Sequence, residues 1–114
     1  MQGLDMTPWD PVAEVSRRNG SARSMVVAAR GEIDALTAGR FAEALSAAAA
    51  KAEGSLLVDL EGVEFIDAKG YAAVLNAARK MRERGGEVLV VASRPTTRRI
   101  FNLLDPRGRL RLCP

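Results

Sequence analysis

Residues 56–92 read LLVDLEGVEFIDAKGYAAVLNAARKMRERGGEVLVVA, and the pattern of this stretch decides the fold. The apolar run at residues 55–60 lies between glycines and predicts a buried strand, after which Glu61-Gly62 is expected to bend the chain. Residues 71–84 then repeat apolar side chains at helical spacing, and a pair of glycines ends that helix. A second apolar run, EVLVVA, follows at once. Strand, helix and strand in succession predict a βαβ unit with parallel strands.

The same alternation continues upstream of this stretch. Residues 37–53 show the apolar period of another helix, with Thr37 as the expected N-cap. The strand predicted before that helix, residues 25–29, is apolar on both faces and is therefore expected to be central. Residues 12–18 alternate between apolar and polar side chains, which predicts a half-exposed strand. The Asn19-Gly20 pair that follows is a strong hairpin signal. The sheet is thus expected to begin with a hairpin.

Downstream, Pro95 opens a shorter helix, and residues 109–113 alternate basic and apolar side chains as an edge strand does. Taken together, the elements predict an α/β fold. Its mixed, mostly parallel sheet has about five strands, with about three or four helices packed against it. Residues 1–11 mix glycine, proline and aspartate without a period and are predicted to be a flexible lead. Residues 12–114 are predicted to form a single domain.

The composition indicates a globular protein and argues against several function classes. The chain has 114 residues, of which 47% are hydrophobic and 27% charged. It has no apolar run of membrane-spanning length and no secretory leader, so we expect a cytoplasmic protein without membrane insertion. Histidine is absent, and the single cysteine, Cys113, is expected to be a small apolar residue of the last strand. No metal, no cofactor and no enzymatic activity are predicted.

The net charge of +3 is unevenly distributed along the chain. Residues 1–68 carry 6 Lys/Arg and 11 Asp/Glu, a balance of 6 − 11 = −5; residues 69–114 carry 11 and 3, a balance of 11 − 3 = +8. The basic half either attracts an acidic partner or lipid surface, or consists of ordinary solvated faces. Nucleic acid is disfavoured as a ligand, because the basic half offers only Tyr71 and Phe101 as aromatic side chains.

The ordered motifs are similar to those of a known family. GEID at residues 31–34 is followed by TAGRFAEAL, then by the 56–92 stretch, then by a short arginine-bearing helix. Over residues 12–112 this order resembles a STAS domain of the anti-sigma factor antagonist type. In that family, an anti-sigma factor kinase phosphorylates a serine or threonine immediately before the glycine of a D-S-S/T-G turn. The unmodified antagonist binds the kinase and frees the sigma factor, whereas the phosphorylated antagonist releases the kinase.

This resemblance implies a partner-binding site at the turn FIDAKGY, residues 65–71. The aspartate of the motif is Asp67, which is also the expected helix N-cap, and Ala68 stands at the first serine. Lys69 stands at the phosphoacceptor position, so the usual hydroxyl is missing, and its positive charge is disfavoured at a helix N-terminus. The predicted partner-binding residues are Asp34, Asp67, Ala68, Lys69, Gly70 and Tyr71. Ser93, Thr96 and Thr97 are expected near this end of the sheet and are the alternative phosphorylation sites, but Ser93 is adequately explained as a cap before Pro95.

Two functional hypotheses remain open. The first is a non-catalytic regulatory module that binds an anti-sigma factor kinase or a related regulator and lacks the usual phosphorylatable serine. The alternative is a structural STAS subunit of a sensory scaffold or of a lipid or anion transporter complex, for which the basic half would suit docking. An enzyme that uses Lys69 is disfavoured, because a catalytic lysine needs a desolvating pocket and this turn should be exposed.

Overall fold

The computed structural model describes residues 24–113, and these residues form one sheet with three helices. The strands are β1 (Met25–Ile33), β2 (Ser55–Ile66), β3 (Glu87–Val91) and β4 (Arg111–Cys113). The helices are α1 (Ala38–Lys51), α2 (Ala68–Glu83) and α3 (Pro95–Leu104). Strands and helices alternate strictly over this part of the chain, as the spacing of the apolar runs predicted.

The sheet of the described residues has four strands in the order β1-β2-β3-β4, and each neighbouring pair is parallel. Each helix therefore connects two adjacent strands, and the carboxyl ends of all the strands lie at the same edge of the sheet. The prediction of an α/β fold with a mostly parallel sheet is confirmed. The predicted strand at residues 12–18, its hairpin and the lead at residues 1–11 lie outside the described residues.

The core lies between one face of the sheet and helices α1 and α2. The register pairs Met25 with Leu56, and Leu56 with Val88, so these buried side chains share one face. Phe41 of α1 and Val74 of α2 are fully buried against that face. Burial of a side chain of this size contributes about 1.5–3 kcal/mol. This packing holds the ends of β1 and β2 rigid.

Strand β2 is longer than expected, because it continues through Glu61-Gly62 instead of bending there. Its register with β1 shifts twice, between Ala28 and Arg30 and between Gly31 and Glu32, and each shift places one additional residue on β2. Such bulges increase the twist of the pair without ending it. A Cβ on Gly62 would lie 2.9 Å from the Cβ of Arg30. The glycine therefore permits a close approach of two strands, and the predicted bend is a bulge inside a continuous strand.

Helix α2 begins earlier than its apolar period indicated. The apolar period covers residues 71–84, whereas the first helical residue is Ala68; Asp67 occupies the N-cap position, as was predicted. The reason is local: the Asp67 carboxylate accepts a hydrogen bond from the backbone N–H of Gly70, at 2.9 Å, which satisfies a free donor of the first turn. Lys69 is thus a residue of the first helical turn, not of a loop that precedes the helix.

Candidate functional site

The candidate site lies where the carboxyl ends of β1 and β2 meet. Ile33 pairs with Ile66, and the N–H of Asp67 donates to the carbonyl oxygen of Ile33 at 3.0 Å. Asp34 and Asp67, the residues that follow these isoleucines, therefore begin two adjacent connections. Carboxyl ends of parallel strands are where open α/β sheets place their ligand and partner contacts. The structure thus brings together the two loops from which the sequence predicted partner contacts.

The turn into α2 presents only part of the predicted residues to solvent. Ala68 and Lys69 are exposed, and Asp67 is half-buried under its capping hydrogen bond. Gly70 is buried, and a Cβ there would lie 2.6 Å from Cγ1 of Ile66 and 2.8 Å from Cγ2 of Ile33. Gly70 therefore lets the helix approach the strand ends closely, and it offers no surface of its own.

Tyr71 also points inward, although the sequence suggested that it was displayed with the turn. Its ring is 6% exposed and packs edge-to-face on Phe101 of α3, with the ring centroids 5.6 Å apart. Its buried hydroxyl makes no hydrogen bond within the described residues, and the nearby charged groups are Asp105 and Arg109. Burial, followed by the negative charge of Asp105, raises the pKa of the Tyr71 phenol. Any contribution of Tyr71 to binding would be made through the position of the helix.

Sequence reasoning missed the buried carboxylate beside Tyr71. Asp105 accepts hydrogen bonds from the backbone N–H groups of Arg109, at 2.9 Å, and of Leu110, at 2.8 Å. Its burial alone would raise its pKa, but these two bonds, together with the neighbouring Tyr71 hydroxyl and the positive charge of Arg109, outweigh that effect, and the pKa of Asp105 is lowered. In the sequence, Asp-Pro-Arg-Gly at residues 105–108 is typical of a break after a helix. The aspartate in fact organises the loop that leads into β4, and so belongs to the scaffold behind the turn.

The connection after β1 is a rigid turn with an outward-pointing leucine. The Thr37 hydroxyl donates to the carbonyl oxygen of Glu32 at 2.9 Å and accepts from the N–H of Asp34 at 2.9 Å. The Asp34 carboxylate in turn accepts from the N–H of Leu36 at 3.0 Å. Thr37 occupies the N-cap position of α1, but its side chain makes no capping bond, contrary to its predicted role. Leu36 is left 91% exposed.

Lys69 has no counter-charge in the described part of the molecule. No hydrogen bond or ion pair of its ammonium group is formed with residues 24–113. It occupies the first turn of α2, where the helix displays about half a positive elementary charge. A lysine at such a position costs a few tenths of a kcal/mol, up to about 1 kcal/mol. The ammonium group is therefore available to a negative group outside these residues.

The hydroxyls near this end of the sheet have different surroundings. Ser93 donates to a carboxylate oxygen of Glu61 at 2.5 Å and does not cap α3, whose N-cap position is held by Arg94. The predicted capping role of Ser93 was therefore wrong, because the serine lies one residue too early. Thr96 is exposed, whereas Thr97 is buried.

Several arginines of the basic half act as internal donors. The guanidinium of Arg84 donates to the carbonyl oxygens of Ala49 and Ala52 at the end of α1. Arg98 donates to the carbonyl oxygens of Ala92, at 2.8 Å, and Cys113, at 3.3 Å. These contacts satisfy free carbonyl groups at element ends. Part of the basic charge is thus explained by the fold, without an anionic ligand.

Within residues 24–113, no helix has the length and apolar character that a membrane crossing requires. In the same part of the chain, no group of cysteine, aspartate and glutamate side chains is arranged as a metal site.

The fold and the turn place this chain in a known class of proteins. A family profile described as "Mlab, STAS domain" matches residues 16–111. The chain belongs to the STAS domain family, and the prediction drawn from its motifs is confirmed. Among individual proteins, it is similar to a candidate anti-anti-sigma factor of Mycobacterium tuberculosis, with 32% identity over 84 residues. These residues are 72% of this chain and 57% of that relative, so the chain spans little more than half of the relative's length.

Solved structures agree with this family membership. An anti-sigma factor antagonist from Mycobacterium paratuberculosis superposes with a TM-score of 0.79 and 30% identity, covering 96% of this chain and 91% of that one. The Bacillus cell fate determinant SpoIIAA in its phosphorylated form gives a TM-score of 0.62 with 18% identity, covering 88% and 91%. The first similarity supports the family in sequence and structure, and the second shows the fold alone.

Proposed function

We propose that this protein is a non-catalytic regulatory module that binds an anti-sigma factor kinase, or a related regulator, through the turn at residues 67–70. We further propose that phosphorylation at this turn does not control the binding. The observation that carries the proposal is the position of Lys69, which is exposed, without a counter-charge among the described residues, and fixed in the first turn of a capped helix. Membership of the STAS family and the similarity to anti-sigma factor antagonists supply the class of partner.

Lysine at this position removes the chemistry of a phosphorylation switch. It has no hydroxyl to accept a phosphoryl group, and it cannot imitate phosphoserine, which carries about −1.5 to −2 charges at neutral pH. The protein would therefore stay in the form that binds the kinase. A complex made mainly through backbone and apolar surface would tolerate the lysine, and a carboxylate of the partner would stabilise it.

The surroundings of Lys69 favour recognition over catalysis. A nucleophilic lysine needs a desolvated pocket or neighbouring cations. Lys69 is exposed, and the charged residue that begins its own turn is the anion Asp67. The chain also contains no histidine to act as a general base. Binding is therefore the activity that these residues can support.

The proposal is tested by affinity capture from the native cytosolic and membrane fractions, followed by mass spectrometry and by incubation of the captured proteins with ATP. The baits are the unchanged protein, Lys69→Ser, and Lys51→Ser as a matched control, because Lys51 is an exposed lysine at the far end of α1. We expect all baits to capture a kinase of the anti-sigma type. Only Lys69→Ser should then be phosphorylated, on the serine introduced at that position, and released from the kinase.

Two outcomes would contradict the proposal. Capture of a transporter or a sensory scaffold by all baits, without any such kinase, would select the structural alternative. Phosphorylation of the unchanged protein at Thr96, followed by its release, would show that a switch exists at another residue. Because both outcomes are read from identified proteins and modified residues, neither can be confused with loss of folding.

A further inference from the structure

We propose that a groove beside the turn, at the ends of β1 and β2, is a docking site for a partner segment that carries an arginine or lysine next to an apolar side chain. This inference rests on the proposed function and deepens it, since it states the chemistry of the partner segment. The groove has a volume of about 570 Å³. It is lined by Arg30, Gly31, Glu32, Asp34, Leu36, Thr37, Gly62 and Glu64. We call it the β1-end groove.

The two bulges of β2 shape this groove. The second register shift leaves Glu64 as the additional residue opposite the step from Gly31 to Glu32. Bulges of this kind re-aim a side chain next to a binding site. Gly31 has a φ of +84°, a conformation that residues with a Cβ rarely adopt, and Gly62 has no room for a Cβ. The groove is therefore built into the paired strands and is formed before any partner binds.

The charge of the groove is negative. Its acidic side chains are those of Glu32, Asp34 and Glu64, and its basic side chain is that of Arg30. Glu32 and Glu64 are exposed, and neither forms an ion pair with another residue of the 24–113 region. A cleft lined by charges of one sign attracts ligands of the opposite charge and repels ligands of the same charge. A cationic segment therefore fits, whereas a nucleic acid or an anionic lipid surface does not.

The apolar part of the recognition comes from Leu36. Single exposed leucines are common on protein surfaces, but this leucine is 91% exposed on a turn that three hydrogen bonds hold in place. These bonds fix the backbone that carries Leu36. An apolar side chain from a partner would cover it, and the flanking carboxylates would pair with the cationic neighbour. Complete burial of the leucine should be the main apolar contribution to binding.

The test is a titration of the ¹⁵N-labelled full chain with a short peptide that carries a leucine flanked by arginines, followed by NMR chemical shifts. Two further peptides are compared, one with glutamates instead of arginines and one with serine instead of leucine. The arginine-leucine peptide should shift the amide signals of Gly31, Glu32, Leu36 and Gly62. Its affinity should exceed that of the glutamate peptide about tenfold, and it should fall as salt is added.

Variants of the protein separate this groove from the rest of the surface. Leu36→Ser should weaken peptide binding about fivefold, whereas Leu103→Ser, which removes another exposed leucine, should leave it within about twofold. The double variant Glu32→Gln/Glu64→Gln should weaken the salt dependence markedly, because only Asp34 remains as a carboxylate of the groove, while Glu83→Gln on α2 should leave it unchanged. Equal binding of the arginine and glutamate peptides, or shifts elsewhere than the β1-end groove, would overturn the inference.

The captured regulator provides an independent readout. If that regulator binds the unchanged protein, and binds Leu36→Ser and the Glu32→Gln/Glu64→Gln variant with the same affinity, the docking inference fails and the proposed function stands. If no anti-sigma type kinase is captured but the arginine-leucine peptide occupies the groove, the groove stands and the proposed class of partner is wrong. Self-association of the labelled protein through this groove, seen as concentration-dependent shifts without peptide, would also overturn the inference by assigning the surface to a second copy.

Discussion

Replacement of Gly70 by alanine should destabilise the protein, whereas the same change at Gly39 should stabilise it. Both glycines lie in the first turn of a helix, and neither has a positive φ. A Cβ at Gly70 would meet Cγ1 of Ile66 at 2.6 Å and Cγ2 of Ile33 at 2.8 Å, contacts that real Cβ atoms essentially never make. A Cβ at Gly39 would meet nothing within 4 Å. The two variants thus share the gain in helix propensity and differ in the clash.

The magnitude follows from these two contributions. Exchange of glycine for alanine in a helix gains about 0.5–1 kcal/mol when the site is free. Overpacking of a filled site costs about 1–3 kcal/mol. Gly39→Ala should therefore gain about 0.5–1 kcal/mol, and the two variants should differ by about 1–3 kcal/mol in the free energy of unfolding. Each kcal/mol corresponds to a shift in Tm of about 4–8 °C for a domain of this size.

Urea unfolding followed by circular dichroism measures both variants on the same scale. Equal m-values for the two proteins would show that the comparison concerns the folded state. If Gly70→Ala is as stable as Gly39→Ala, the close approach of α2 to the strand ends does not exist as described. The rigid presentation of Lys69 would then lose its physical basis.

Further changes test the surroundings of the site. Asp67→Ala should cost about 0.5–2 kcal/mol in urea unfolding, because the N–H of Gly70 loses its cap. Lys69→Glu should stabilise the protein by about 0.3–1 kcal/mol at low salt, and the gain should shrink as salt is added, because a negative charge suits the first helical turn. Arg84→Ala should cost about 1 kcal/mol or more, since two carbonyl groups at the end of α1 lose a charged donor. Because the pKa of Asp105 is lowered in the folded protein, its carboxylate stabilises the fold above the ordinary aspartate pKa of about 3.9. This stabilisation is lost as the pH falls towards the pKa of Asp105 in the folded state. Asp105→Asn should therefore reduce the loss of unfolding free energy that the unchanged protein shows at acidic pH.

The order of the elements could be predicted from the sequence, because it depends on local periodicity. The helix expected at residues 37–53 is observed as Ala38–Lys51, since Phe41 and Leu45 must face the sheet. The extent of β2 could not be predicted. A glycine at this position locally indicates a bend. Gly62 continues the strand because it pairs with Arg30 of β1, a contact between distant parts of the sequence that no local pattern shows.

The candidate site was predictable in outline but not in its exposure. The motif identified the turn, and the residue type of Asp67 identified the cap, which the structure confirms. The burial of Tyr71 depends on Phe101, which lies on another helix far along the chain, so no local pattern could reveal it. The β1-end groove likewise depends on bulges that exist only in the paired strands. The partner-binding role of the exposed residues remains a prediction.

The central claim is that Lys69 leaves the protein permanently competent to bind its regulator. The most direct test is isothermal titration of the purified regulator with the unchanged protein and with Lys69→Ser, before and after incubation with ATP. We predict that the affinity of the unchanged protein stays the same after ATP treatment, whereas that of Lys69→Ser falls at least about tenfold as a phosphate is added at the helix N-terminus. An ATP-dependent loss of affinity in the unchanged protein, or no binding until Lys69 is replaced by serine, would contradict the claim.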